Sequence, residues 1–376
     1  MGWTRPGSLI GFSEPEWSSV KTIIQPKTRE GPDMEISVLG IDLAKSVFQL
    51  HGVDKGHRAT LRKKVSRAQL PVFVARLSPC LIVMESCIGA HAWARKFRQF
   101  GHEVKLIAPE FVRPFVKSNK NDANDAEAIV EAAVRPNMRF VSINSVDQQD
   151  IQIIHRVRER LVREKVALMN QIRGLILEYG VAFPKGKTSI EKCLPSVLSS
   201  EITELTAMSK QLFTELLGEL RGIKEKLVEY DQKIQAIHKS HPVCQRLATI
   251  PGVGPLTATA IMASVGDPKF FRNGRQLSAY LGLVPRQHST GGKDRLLGIS
   301  KRGDPYIRKL LIHGARTVVQ WVDGKTDSKS EWLKKLIIRR GINRATVALA
   351  NKNARVIWVL MTKEENYRVP VEVAAA

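Results

Sequence analysis

The chain has 376 residues, 43% hydrophobic and 25% charged, the balance of a folded globular protein, and no apolar run approaches the roughly 20 residues that span a bilayer. It carries 59 Lys and Arg against 36 Asp and Glu, a net charge of +23, which points to a polyanionic partner because basic side chains release counterions from a phosphate backbone. Its 4 cysteines (Cys80, Cys87, Cys193, Cys244) are scattered without a CxxC pair, which argues against a zinc ribbon or disulfide framework and fits a reducing cytoplasm.

Residues 1–33 hold Pro, Gly, Ser and Trp without periodicity or a signal-peptide pattern. They read as a flexible leader or as the product of an upstream start codon, since Met34 stands just before the first strand pattern. Ile36 to Asp54, "ISVLGIDLAKSVFQLHGVD", reads as a strand, a polar interruption carrying Asp42, and a second strand, together a hairpin. A basic segment follows, then a helical pattern from Ser66 to Leu77. "CLIVMES", Cys80 to Ser86, is almost wholly apolar, as in a strand buried on both faces, and it ends on Glu85. A helix, a stop at Gly101 and a strand at Val104 to Ala108 come next. The order β–β–α–β–α–β predicts a layered α/β domain over residues 34–146.

In "KSNKNDANDAEAI", Lys117 to Ile129, Asp122 and Asp125 open a helix three residues apart and so share a face. Such acids suit the positive end of a helix dipole, or they form half of a metal site. Lys117 and Lys120, just ahead of them, are expected to face nucleic acid. From Asp147 to Tyr179 runs a strongly basic helix, with Arg156 and Arg163 as candidate backbone contacts, broken by Gly180 and Pro184. Leu205, Met208, Leu212, Leu216, Leu220, Ile223, Leu227, Tyr230, Ile234 and Ile237 follow at spacings of three or four. That is a coiled-coil-like seam, read as helix–helix pairing, within the chain or between subunits, with one long amphipathic helix packed within the chain as the other reading. Residues 147–245 thus read as a long helical middle, 246–362 as a mainly α domain and 363–376 as a tail.

"IPGVG", Ile250 to Gly254, resembles the hairpin of a helix-hairpin-helix, where Gly252 and Gly254 would let backbone N–H groups approach a phosphate; a tight structural turn is the other reading. "RQHSTGGK" gathers Arg286, His288, Ser289, Thr290 and Lys293. A hydroxyl attacking phosphorus needs activation and nearby positive charge, although a hydroxyl in a Gly-rich loop is commonly a turn residue. Lys301, Arg302 and Arg308 read as phosphate contacts or as a solvated basic face. Taken together, Asp42, Glu85, Asp122 and Asp125 would repel one another unless a cation compensates, and Mg²⁺ is the hard, oxygen-seeking choice. Paired ions would stabilise both the attacking and the leaving oxygens of phosphoryl transfer.

"GIDLAK" around Asp42, "VMES" around Glu85 and "KNDANDAEAI" carrying Asp122 and Asp125 resemble the DEDD-type transposases of the insertion sequence one-ten family, relatives of the Piv invertase. "IPGVGPLTATAIMASVGD" and "YLGLVPRQHSTGGKDRLLGISKRGDPYIRKLL" resemble that family's C-terminal transposase domain, and "RQHSTGGK" with "GISKRGD" is closest to its eleven-eleven subgroup. The resemblance runs from about Met34 to Leu360. It implies a RuvC-like, RNase H fold for the N-terminal domain, with Mg²⁺ (two ions, Mn²⁺ able to substitute) on Asp42, Glu85, Asp122 and Asp125. It also implies a loop serine that forms a phosphoserine link to DNA. Matching the glycine after that serine to Gly291 puts the hydroxyl on Thr290; a shift of one residue puts it on Ser289, the less hindered nucleophile and the one preferred here, with Ser300 a weaker candidate. The implied partners are element-end and target DNA, a structured guide (bridge) RNA, and further copies of the chain as a dimer or tetramer. Strand exchange through a Holliday-type junction in the bacterial cytoplasm, at the nucleoid and away from membranes, is the implied setting. A Holliday-junction resolvase using water, or a non-catalytic nucleic-acid-binding protein, are the competing readings.

Overall fold

A computed structural model describes residues 35–117, 122–184, 186, 189–201 and 204–368. The leader and Lys120 lie outside the described residues, as does the side chain of Asp122.

The N-terminal part is built on a 6-stranded sheet in the spatial order β3-β2-β1-β4-β5-β6. Its strands are β1 (Val38–Asp42), β2 (Val47–Val53), β3 (Ala59–Ser66), β4 (Leu81–Glu85), β5 (Glu103–Ile107) and β6 (Phe140–Val141). β1, β4 and β5 run parallel, while β2, β3 and β6 join antiparallel. The β1–β2 hairpin and the buried β4 match the sequence reading. β3 is an addition: the basic segment "ATLRKKVS", which the sequence order leaves without an element, is a strand. Only Leu61 and Val65 of it are buried, so lysines and arginines on an edge strand hide the alternation from sequence and also keep that edge from pairing with other chains.

Alternation sends successive residues of β1 and β4 to opposite faces. Leu39, Ile41, Ile82 and Met84 pack under α1 (Gln69–Ala75) and α2 (Ala90–Gln99). Val38, Val83 and Ile107 pack under the one-turn α3 (Pro109–Val112) and under α4 (Asp122–Ala133), which contributes Ala128, Ile129, Val130 and Ala132.

A Ser145/Gln148 capping box opens α5 (Val146–Leu177). Its second half forms an arm with α6 (Ser189–Ser199) and α7 (Ala207–Ser240). α5 and α7 run antiparallel within the chain: Arg158 pairs with Asp231 at 2.6 Å, and Tyr179 meets Phe213 edge to face. The seam on α7 follows the expected positions from Leu216 through Ile234, with Ile237 packed against the C-terminal core, but not at Met208 and Leu212. Phe213 and Leu217 are buried, whereas Met208 and Leu212 are 74% and 52% exposed. Each step of four overshoots a 3.6-residue turn by about 40°, so three in succession carry Met208 about 120° off the face of Leu220.

The C-terminal unit comprises α8 (Pro242–Ala248), α9 (Pro255–Val265), α10 (Gly274–Tyr280), the hairpin β7 (Pro285–Gln287) and β8 (Leu296–Ile299), α11 (Pro305–Gln320), α12 (Ser328–Arg340) and α13 (Ile342–Lys363). α9 is its buried axis. The first half of α5 is rooted in this core through Ile151, with Gln148 Nε2 donating to Met262 O at 3.3 Å and Gln152 Nε2 to Ala263 O at 2.8 Å. One helix therefore links the sheet, the arm and the C-terminal unit. Among the described residues, no helix is long and apolar enough to cross a membrane.

Candidate catalytic site

Asp42 and Glu85 are the last residues of adjacent parallel strands. The register Ile41↔Met84 sets them side by side at one edge of the sheet. By alternation both share a face with Gly40 and Val83, the face α4 covers. Gly40 is what lets α4 lie so close: a Cβ there would sit 2.6 Å from Ala126 O and 2.6 Å from Val130 Cγ2. That approach brings Asp125, next to Ala126, over the strand ends.

The half-buried Glu85 carboxyl is held above its usual range, first by burial and then by the charges of Asp42 and Asp125, with Arg113 opposing. The acids therefore share one electrostatic neighbourhood. Among the described residues, no group of three or more His, Cys, Asp or Glu closes to metal-ligating distances; the Asp122 side chain lies outside them. Burial, Glu85 and Asp42 also push the neighbouring Cys87 thiol up, which keeps it protonated rather than nucleophilic. Lys117 does not stand free. Its ammonium donates to Glu127 Oε1 at 2.8 Å, a bond that holds Glu127 below the ordinary carboxylate range.

The glycine-containing loop of the C-terminal unit is an exposed hairpin. Gly291 and Gly292 have φ of +55° and +76°, so Thr290–Lys293 forms the two-residue turn with positive φ at both centres that hairpins favour. Across it, Ser289 lies opposite Asp294, and Ser289 Oγ donates to Asp294 Oδ1 at 2.7 Å. Gln287 Nε2 donates to both, at 2.9 Å and 3.0 Å. Thr290 is a turn residue whose carbonyl accepts from Lys293 N at 3.0 Å. The carboxylate can hold the serine hydroxyl and receive its proton, which Thr290 is not arranged to use. Asp294 and Gln287 escaped the sequence reading, although the Gly-Gly pair is itself a hairpin signal that places residues 289 and 294 opposite each other. The Ser300 hydroxyl is buried without a hydrogen-bond partner among the described residues.

The basic candidates divide. Arg286, Lys293, Lys301 and Arg302 are exposed. Arg308 is committed to the fold, its Nη1 donating to Leu281 O at 3.2 Å and Arg302 O at 2.6 Å. Gly252, between α8 and α9, has φ +89°, and a Cβ there would lie 2.7 Å from Gly314 O of α11, so its need for glycine is structural. Gly254 is exposed with open space beside it. Arg156 and Arg163 are exposed on α5 and line a cavity of about 280 Å³ with His155, Glu159, Asp304 and Tyr306.

His155 at its base is 3% exposed, between Tyr306 OH and Thr259 Oγ1, each at 3.0 Å. Thr259 gives its own proton to Pro255 O at 2.8 Å, so His155 Nε2 donates to Thr259 and Nδ1 accepts from Tyr306. Burial, helped by Arg158, pushes this imidazole down to about 4.

The structure thus sets a sheet edge lined by acids in one part of the chain and an exposed hairpin carrying a hydrogen-bonded serine in another. A family model described as "Transposase IS116/IS110/IS902 family" matches residues 244–331, and a second, described as a transposase of the DEDD type of IS110, matches residues 39–181. The chain is 50% identical over 336 residues to a probable family 20 transposase of Pseudomonas aeruginosa, covering 89% of this chain and 99% of that one. It is 50% identical over 342 residues to the transposase for insertion sequence element IS1111A of Coxiella burnetii, covering 91% and 94%. To the transposase for IS1328 of Yersinia enterocolitica it is 44% identical over 328 residues, covering 87% and 97%. These likenesses define a DNA transposase/recombinase. The chain belongs to the IS110/IS116/IS902 transposase family, in the IS1111 subgroup.

Proposed function

We propose that this transposase cuts and rejoins DNA through a serine–DNA intermediate, with a divalent metal on the carboxylate edge and a structured RNA as guide. The observation that carries it is the convergence of Asp42, Glu85 and Asp125 at the ends of the central strands, where each acid raises the cost of ionising Glu85. The sheet order, with β2 antiparallel beside parallel β1, β4 and β5, supports a RuvC-like, RNase H reading. The donor set fits a hard cation: every candidate ligand is a carboxylate, and the repulsion felt by Glu85 is what such an ion relieves. Asp42, Glu85, Asp122 and Asp125 would hold it, Mg²⁺ being the natural ion and Mn²⁺ a substitute. When bound, it supplies positive charge to the phosphate oxygens.

The chain's own residues do the rest. Ser289 Oγ attacks phosphorus, its proton passes to Asp294, and the bond from phosphorus to the leaving sugar oxygen breaks. Reversal by the incoming strand restores the serine. Arg286 and Lys293, exposed on the same hairpin, would neutralise the phosphate. The exposed Arg156 and Arg163 give a guide RNA or DNA backbone a basic face, and the α5–α7 arm is an element on which copies of the chain can assemble.

The test is to incubate the protein with Mg²⁺, its element-end DNA and the adjoining non-coding transcript, then denature and look for a protein–DNA adduct. An adduct is expected from the wild type and from Thr290→Ala, and none from Ser289→Ala or Asp42→Asn. Metal-dependent cutting with no adduct under any condition would replace this reading with a water-using resolvase.

A further inference from the structure

The corner where α12 meets α13 is exposed without a break from Ile338 to Arg344. Gly341, at φ +80°, turns the chain between the two helices. Ile338 is 87% exposed and Ile342 58% exposed, while Leu333 and Leu349, farther along the same helices, are in the core. Around the two isoleucines stand Arg339 and Arg340, in the last turn of α12, and Arg344, in the first turn of α13. Among the described residues none of these guanidinium groups has an ion-pair partner. The corner lies outside both segments that match the family models, 39–181 and 244–331.

Single exposed aliphatics need no explanation. Two branched aliphatics bracketed by unpaired arginines do, because the partner must satisfy both chemistries. The same corner of a second copy would set these arginines against arginines. A polyanion satisfies the arginines. Nucleic acid also offers apolar surface, between its stacked bases, and it is the polyanion on which a transposase acts. Apolar wedges flanked by arginine unstack base steps from the minor groove, and the narrow B-form groove lets the flanking guanidinium groups reach phosphates on both sides.

We propose that the Ile338–Arg344 corner is a DNA wedge: Ile338 and Ile342 enter a base step of duplex DNA from the minor groove, and Arg339, Arg340 and Arg344 hold the neighbouring phosphates. It bends or opens the duplex apart from the catalytic residues, and it rests on the reading that this chain acts on duplex DNA ends.

The experiment uses the full chain and a mixed-sequence duplex carrying 2-aminopurine at successive positions, with fluorescence reporting unstacking and anisotropy reporting affinity at several salt concentrations. The wild type is expected to raise fluorescence at one step. Ile338→Ser with Ile342→Ser is expected to abolish that rise and weaken binding about tenfold, while the salt dependence stays as in the wild type. Arg339→Gln, Arg340→Gln and Arg344→Gln together should lower the slope of log affinity against log salt by up to about 2.7, roughly 0.9 for each phosphate no longer neutralised. Unchanged circular dichroism keeps both variants interpretable, since every changed residue is exposed. An unaltered fluorescence rise in the isoleucine variant overturns the wedge while leaving the transposase reading intact. So does a variant that changes sedimentation but not DNA binding, which assigns the corner to a protein partner. A wild type that binds no duplex overturns the wedge, while the proposed function stands or falls separately on the adduct assay with element-end DNA and the transcript.

Discussion

Acid should loosen the joint between α5, α9 and α11 before it unfolds the rest of the chain, and His155 is the reason. Its imidazole is neutral, donating to Thr259 and accepting from Tyr306, and it sits at about 4 against an ordinary value of 6.5. A histidine depressed by burial binds its proton more readily once unfolded. The stability it contributes is therefore complete above pH 6.5 and drains away as the pH falls toward about 4. At about 1.4 kcal/mol per unit, that gap amounts to about 3 kcal/mol. His155→Gln removes the titrating group and keeps a hydrogen-bonding side chain in its place. Urea unfolding across this window should show the wild type losing about 3 kcal/mol more than the variant. Carbon-13 labelling of the histidines gives the direct reading: the His155 signal should stay neutral through pH 6.5 and move only near the acid end of the window. A folded-state titration near 6.5, or matching losses in the two proteins, would refute the assignment.

Gly314→Ala should destabilise by about 1–3 kcal/mol, because the new Cβ drives into the Gly252 carbonyl, while Gly254→Ala, with nothing within 4 Å, should change the urea midpoint little. Leu217→Ala should cost about 2–5 kcal/mol and Leu212→Ala no more than about 0.5, by the same measurement, since only Leu217 is inside the α5–α7 arm. Equal costs at the two positions would mean that the arm packs on the other seam.

Local pattern and chemistry carried much of this protein. The apolar run of β4, the hairpin of β1 and β2, the breaks at Gly101 and Gly180 and the order of the acidic motifs all depend on neighbours in sequence, so they can be read there. The hydroxyl-bearing loop is legible too, but not the hydrogen-bond partner of its serine: Ser289 and Asp294 meet only because the Gly291–Gly292 turn folds the strands back on each other. β3 was hidden because an edge strand buries few side chains, and the early seam of α7 was misread because successive fours drift around a helix.

Other features belong to no segment by itself. Nothing local to Lys117 announces that Glu127 will hold it, and nothing in "IPGVG" says that Gly252 answers to Gly314. Likewise, the raised Glu85 carboxyl follows from a parallel strand pairing and from a helix that the bare Gly40 admits. Composition and motif order, by themselves, determined that this is a basic, acid-motif chain made to act on nucleic acid. Which acids share a field, which cations are already paired within the fold and which remain exposed were decided only when distant segments packed, because charge and close contact act through space rather than along the chain.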